Sequence, residues 1–321
     1  MQLLLARGDE VVALSRGGQG AAHLREPTSA LLTVVRGDLL VPETYRDAVA
    51  GCDAVVHVAG WISTRRRDED KLRVVNVTAT QRLWDVCSEA GTGRIVYLAS
   101  IFAHGRGQGT APCDETAAFD PSILLLPVPY FRAKREAEVL TWKVASERGL
   151  PVVFGYPGFC LGPGDEYLSS MRIVRDFLRG RLPAYVEGGM SFVDVRDAAA
   201  GLVGCLDAGQ VGEKYLLTNH NVSWGAFFQS LREVAGGGRL PVAVPRGPAG
   251  WLGRLSERVV PGMGVSEGDT AVMGGTWFYD GSRARRELGM GSRPLERSLA
   301  DGVAWLRSVG WRAEGCRAGT K

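Results

Sequence analysis

The chain is short of histidine, of paired cysteines and of any charge excess, and each shortage excludes a class of function. Four histidines among 321 residues, none at ligand spacing from a cysteine, leave no zinc pattern and no Ser-His-Asp order, so no metal site is expected. Cys52, Cys87, Cys113, Cys160, Cys205 and Cys316 are scattered without a C-x-x-C pair, which argues against a disulfide framework and for reduced thiols in the core. A net charge of +3 on 38 basic and 35 acidic side chains is too nearly balanced for a polyanion-binding surface, so no nucleic-acid partner is expected. Only Leu3, Leu4 and Leu5 precede Arg7 and Asp9, too few for a signal-peptide core, and no later apolar run has transmembrane length. The expectation is a cytoplasmic protein without a membrane partner.

Apolar residues make up 45% of the chain, enough for a substantial core in one large α/β domain or two smaller units. Met1 to Gly8 reads as the last turns of an amphipathic helix closed by a glycine, and Glu10 to Ser15 (EVVALS) follows as a buried strand. Further strands are predicted at Leu32–Arg36, Ala54–Val58 and Arg94–Ala99, with a helix from about Leu72 to Ala90 before the last. A second helix runs from Tyr130 to about Arg148 and leads into the strand Pro151–Gly155. Pro127 and Pro129 suit its start, where a missing amide hydrogen costs little. Short apolar strands alternating with helices predict an α/β fold with a doubly wound parallel sheet.

Beyond Gly155 the alternation loosens into Gly- and Pro-rich segments, which predicts a smaller C-terminal lobe. The expected division is a first domain over residues 1–165, with 190–218 returning to it, and a lobe over 166–189 and 219–321. Within the lobe, Ser223 caps a helix from Trp224 to Val234, and Gly289 closes one beginning near Ser282.

Tyr130 and Lys134 stand four residues apart, on one face of the second helix. An ammonium beside a phenol favours the phenolate, so an acid of ordinary pKa about 10 is expected to move towards the working pH. Such a pair can pass a proton to or from an alcohol. Ser100 ends a strand in the same crossover, and ligands in open α/β sheets sit at the carboxyl ends of strands, so its hydroxyl and the phenol converge on one cleft. Strand ends at Ser15–Arg16, Arg36–Asp38 and Ala59–Gly60 line the same edge.

The runs RIVYLAS, PYFRAKREAE, YPGFCLGPGD and SFVDVRDAAAGL, in that order, resemble the extended short-chain dehydrogenase/reductases, in particular the branch similar to dihydroflavonol reductases. The resemblance spans Met1 to about Arg307. It implies a Rossmann-like dinucleotide-binding first domain, with the C-terminal lobe binding substrate. It makes Tyr130 the general acid/base, Lys134 the residue that lowers its pKa and holds the nicotinamide ribose, and Ser100 the substrate-orienting hydroxyl. Asn76 matches an asparagine that helps order a relay water. Pro157, Gly158, Phe159 and Cys160 match the segment against the nicotinamide, Asp38 and Leu39 the pair beside the adenine, and Ala59 and Gly60 the strand end near the dinucleotide. Arg16 stands where an acid would bind the ribose 2′-hydroxyl, and a guanidinium favours a 2′-phosphate, so NADP is expected ahead of NAD.

One family feature is missing from the sequence. The family opens with a strand and a Gly-rich turn that lays the pyrophosphate on a helix N-terminus, and nothing like it precedes Met1. The expectation is an N-terminally truncated version of the fold, with two inner sheet edges unpaired, from a late start site or an impaired copy. An alternative makes EVVALS the first strand, Arg16 to Gly20 the phosphate loop and Asp38 the ribose acid, but His23 and Pro27 fit it poorly. A second glycine cluster, Gly105 to Gly109, leads into Pro112 and reads as a loop.

The implied activity is NADP-dependent reduction of a ketone or aldehyde on a small-molecule substrate. The long segment Ile101–Val128, with the apolar run Ser122–Pro129 at its end, suggests an apolar or aromatic compound, although Leu124 to Leu126 equally suit a cover for the sheet end. A nucleotide-sugar epimerase or dehydratase with tightly bound nicotinamide stays open as a second reading. A non-catalytic dinucleotide-binding protein is a third. A homodimer is compatible with the sequence.

Overall fold

The computed structural model describes residues 1–17, 29–107, 109–245 and 266–310. Glycines 18 and 20, His23 and Pro27 of the alternative phosphate loop lie outside the described residues. Helix α1 (Gln2–Arg7) ends on Gly8 at φ 94°, the left-handed cap that the sequence suggested.

Strands β1 (Val11–Ser15) and β2 (Leu32–Arg36) pair in parallel. After a short helix α2 (Arg46–Ala50), strands β3 (Ala54–His57), β4 (Arg94–Leu98), β5 (Val152–Pro157) and, further along the chain, β9 (Lys214–Leu217) form a parallel sheet in the order β3-β4-β5-β9. Among the described residues no strand pairs with the second edge of β1 or of β3. The crossover from β3 to β4 carries α3 (Glu69–Arg73) and α4 (Ala79–Ala90), and that from β4 to β5 carries α5 (Pro129–Arg148).

Both faces of this sheet are covered, which is why its strands read as continuous apolar runs rather than alternating ones. On one face Tyr97 meets Trp84 of α4 edge-on at 5.7 Å, and Phe154 stacks on Trp142 of α5 at 3.9 Å. On the other, Val96, Val153 and Leu217 pack against Cys205 of α7 (Val195–Asp207) and against Ala284 and Leu288.

Four strands make a second sheet. In it β8 (Gly189–Asp194) pairs with β6 (Phe159–Leu161), with β10 (His220–Ser223) antiparallel and with β12 (Thr276–Trp277). Around it lie α6 (Met171–Leu178), the parallel pair β7 (Ala184–Val186) and β11 (Val242–Val244), α8 (Trp224–Ala235), α9 (Glu267–Met273), α10 (Ser282–Leu288) and α11 (Leu295–Ser308). The Ser223 cap and the left-handed Gly289 stand where the sequence placed them.

Three features differ from the sequence reading. The helix expected from Leu72 begins at Glu69 and is interrupted by a π-turn at Val74–Thr78, centred on Asn76. The change of sheet comes at Gly158 rather than near 165, because β6 already pairs with β8. The stretch 190–218 is divided: β8 belongs to the second sheet, and only α7 and β9 return to the first. Strand β8, MSFVD after its glycine, is wholly buried, and a strand buried on both faces does not say which sheet it joins.

Candidate active site

Strand β4 ends at Leu98, and Ser100 two residues later caps a single 3₁₀ turn (Ile101–Ala103), its Oγ accepting the Phe102 amide at 3.3 Å. Helix α5 starts at Pro129, where proline's fixed φ suits a first helical position, so Tyr130 falls in the first turn, over the end of β4. Its half-buried ring meets Phe102 edge-on at 6.4 Å. Lys134, one turn on, is 6% exposed. Its Nζ donates to the Leu98 carbonyl at 2.9 Å and lies 5.2 Å over the Tyr97 ring.

The electrostatics correct one expectation. Burial pushes the Tyr130 phenol up to about 12, a hydrogen bond with Ser100 opposes the shift, and Lys134 is not among the groups that govern it. Lys134 is itself pushed down to about 8 by burial, against the opposing field of Glu138. Loss of water outweighs the proximity of an ammonium whose bond is turned to a strand carbonyl. Tyr130 is therefore held as a neutral phenol, ready to donate.

Pro157 ends β5, and Gly158 then passes so close to β8 that an added Cβ would lie 2.6 Å from the Ser191 carbonyl oxygen. Phe159 packs on Phe192 and Trp224. The Cys160 thiol, pushed up to about 12 by burial, contacts the Gly158 carbonyl at 3.6 Å and acts electrostatically on Tyr130, so this segment borders the phenol.

Asn76 is tied to the turn after β3: its Nδ2 donates to the carbonyls of Trp61 at 2.9 Å and Leu72 at 3.0 Å, and its Oδ1 accepts the Trp61 amide at 3.0 Å. One Oδ1 lone pair is left for a water. Ala59 and Gly60, in the same turn, are exposed, and a Cβ on Gly60 would stand 2.9 Å from that Oδ1.

Arg16 and Asp38 meet at the ends of β1 and β2, 4.0 Å apart, with the Arg16 side chain 71% exposed. Asp38 Oδ1 accepts the Leu40 amide, and the Leu39 carbonyl accepts the Tyr45 hydroxyl. Arg36, paired in register with Ser15, brings a second guanidinium beside Gly17. Sequence reasoning noted Arg36 only as a strand end, although its place two residues before Asp38 was a usable signal. The two groups of residues each lie at the carboxyl ends of parallel strands, one on the β1-β2 pair and the other on the β3-β4-β5-β9 sheet.

A dinucleotide fits these residues at both ends. Two Lys134 ammonium protons have no protein acceptor among the described residues and suit ribose hydroxyls. The apolar run before α5 is split: Ile123 and Val128 are core, whereas Leu125 is 86% exposed.

A family model described as the NAD dependent epimerase/dehydratase family matches residues 1–218. Sterol demethylase protein B of Methylococcus capsulatus is 33% identical, over 97% of this chain and 94% of that protein. A dihydroflavonol 4-reductase-like protein of Synechocystis is 30% identical, over 96% and 90%. The crystal structure of a nucleoside-diphosphate-sugar epimerase from Pseudomonas aeruginosa matches with a TM-score of 0.77 at 26% identity, over 97% of this chain and 93% of that one. With the family model over most of its length, this Rossmann-like α/β chain belongs to the NAD dependent epimerase/dehydratase family, on the extended short-chain side that includes dihydroflavonol-reductase-like enzymes.

Proposed function

We propose that the protein is an NADP-dependent reductase of a ketone or aldehyde carbonyl on a small apolar compound. The observation that carries this reading is the placement of the Tyr130 phenol beside the Ser100 hydroxyl, bordered by Phe102. A bound nicotinamide supplies the hydride. Tyr130 donates its proton to the carbonyl oxygen as negative charge develops there, and Ser100 donates a hydrogen bond to the same oxygen and aligns it. Lys134 holds the ribose hydroxyls. Asn76 offers an acceptor to a water that returns the proton, and it holds the Ala59–Trp61 turn.

Preference for NADP follows from Arg16 and Arg36, two guanidiniums at the β1 and β2 ends where a ribose would lie, with Asp38 and Leu39 beside the adenine. Arg16→Ala is expected to lower kcat/KM for NADPH by about tenfold, or about 1.4 kcal/mol, with the NADH value nearly unchanged. Equal losses with both cofactors would count against a 2′-phosphate contact.

The test of the activity is NADPH consumption with a panel of alkyl and aryl ketones and aldehydes. Turnover with at least one apolar carbonyl is expected. The likeness to a nucleotide-sugar epimerase favours a second reading, in which the nicotinamide stays bound through a cycle. Purified protein carrying nicotinamide, isomerising a nucleotide sugar and consuming no NADPH with any carbonyl, would establish that reading instead.

A further inference from the structure

Glu138 has no part in the chemistry above, yet it stands one turn beyond Lys134 and two beyond Tyr130 on the same face of α5. Its side chain is wholly shielded from solvent. Oε1 accepts the Tyr156 hydroxyl at 2.5 Å, and Oε2 accepts Arg135 Nη1 at 2.7 Å. Arg135 leans outward: it also donates to the Ala103 carbonyl at 3.3 Å, lies 4.1 Å over the Phe119 ring and keeps 27% exposure.

We propose that Glu138 is a positioning residue for this site: its buried carboxylate, anchored by Tyr156 and Arg135, supplies the negative charge that keeps Lys134 an ammonium where water is excluded. The inference rests on the reading of Tyr130 as the acid and Lys134 as its supporting cation.

The groups packed around Lys134 leave this task to Glu138. From β4 come the Tyr97 ring and the Leu98 carbonyl, neither of which carries a charge. From β3 comes His57, bonded to Thr80 at 2.9 Å and pushed down to about 3 by burial and by the Lys134 charge, so it is neutral. Tyr156 of β5, and His104 beyond it, are also held neutral by burial. Tyr130, on the helix itself, is a neutral phenol. Among the described groups facing Lys134, Glu138 is thus the one that carries opposite charge. Arg135 neutralises it only in part, because the guanidinium is on the solvent side, where its field is screened. Burial alone depresses Lys134, and Glu138 is the group that opposes the loss of its proton. A neutral amine would present a lone pair in place of a third proton and so hold the ribose hydroxyls less well.

The ionisation of Lys134 can be read without any ligand, by trace acetylation of the intact chain with acetic anhydride across pH and quantitation of the Lys134 peptide. In Glu138→Gln, whose side-chain oxygen still accepts from Tyr156, the midpoint is expected to fall by about one pH unit or more. The alkaline limb of carbonyl reduction should fall with it, while turnover near about pH 6 stays close to wild type. An unmoved midpoint in folded Glu138→Gln overturns the proposal, since a merely structural role would lower the rate equally at all pH. Should that variant not fold, Glu138→Asp decides: it draws the charge back by one methylene, so a smaller downward shift is expected and an unmoved midpoint again overturns the idea. If the wild type reduces no carbonyl compound, the functional reading fails, and the labelling midpoint still decides the role of Glu138.

Discussion

Tyr130→Phe is expected to lower kcat for carbonyl reduction by about 10³-fold, within the range of roughly 10²–10⁴ for a positioned general acid. The ring stays, so its edge contact with Phe102 and the packing of the first turn of α5 are preserved, and only the phenolic oxygen is lost. NADPH affinity should change little, because Lys134 and the Pro157–Cys160 segment remain. The pH dependence has a definite sign. With the phenol pushed up to about 12, Tyr130 keeps its proton through the range where an ordinary tyrosine titrates, so an alkaline loss of reduction below about pH 10 comes from Lys134 and not from the acid. Alcohol oxidation needs the phenolate, which is scarce at neutral pH, so that rate should rise with pH. Stopped-flow single-turnover rates in both directions, with cofactor titration of the same samples, check all three statements. Turnover of wild-type size in a folded Tyr130→Phe would remove Tyr130 from the chemistry.

The same residue shows where sequence reading stops. Spacing was enough to place Tyr130 and Lys134 on one face of a helix, and strand-end logic brought Ser100 to the same edge, because both rest on fixed periodicities. The direction of the phenol's pKa was not readable, since it depends on how much water the fold removes compared with where the ammonium points. Glu138 was visible in the motif, but nothing in its spacing said that Tyr156, eighteen residues away on strand β5, would bond to it. Strands β1 to β5 were legible as apolar runs, while the sheet to which β8 belongs was not. The π-turn at Asn76 left no mark either: VVNVT is compatible with an ordinary helix, and the turn is matched by side-chain bonds to Trp61 and Leu72.

Lys134→Met should be nearly inactive, with kcat/KM down by about 10²–10³-fold, and yet at least as stable as the wild type at neutral pH. The loss of activity follows from removing the protons that reach the ribose and so set the nicotinamide against the substrate. The stability argument runs the other way. Lys134 is pushed down from the ordinary lysine value to about 8, so below that pH the native state carries a buried ammonium at a cost of roughly 2–4 kcal/mol. Methionine fills much the same volume without that cost, while the Leu98 carbonyl loses its donor, which costs about 1–3 kcal/mol. Because the folded pKa is depressed, the unfolded chain binds more protons between about pH 8 and 10, and wild-type stability should rise with pH across that window. Lys134→Met lacks the group and should lose that rise. Chemical denaturation of both proteins from neutral to alkaline pH measures the two slopes. Parallel slopes, with Lys134→Met less stable throughout, would mean that Lys134 is an ordinary structural lysine whose ammonium carries no burial cost.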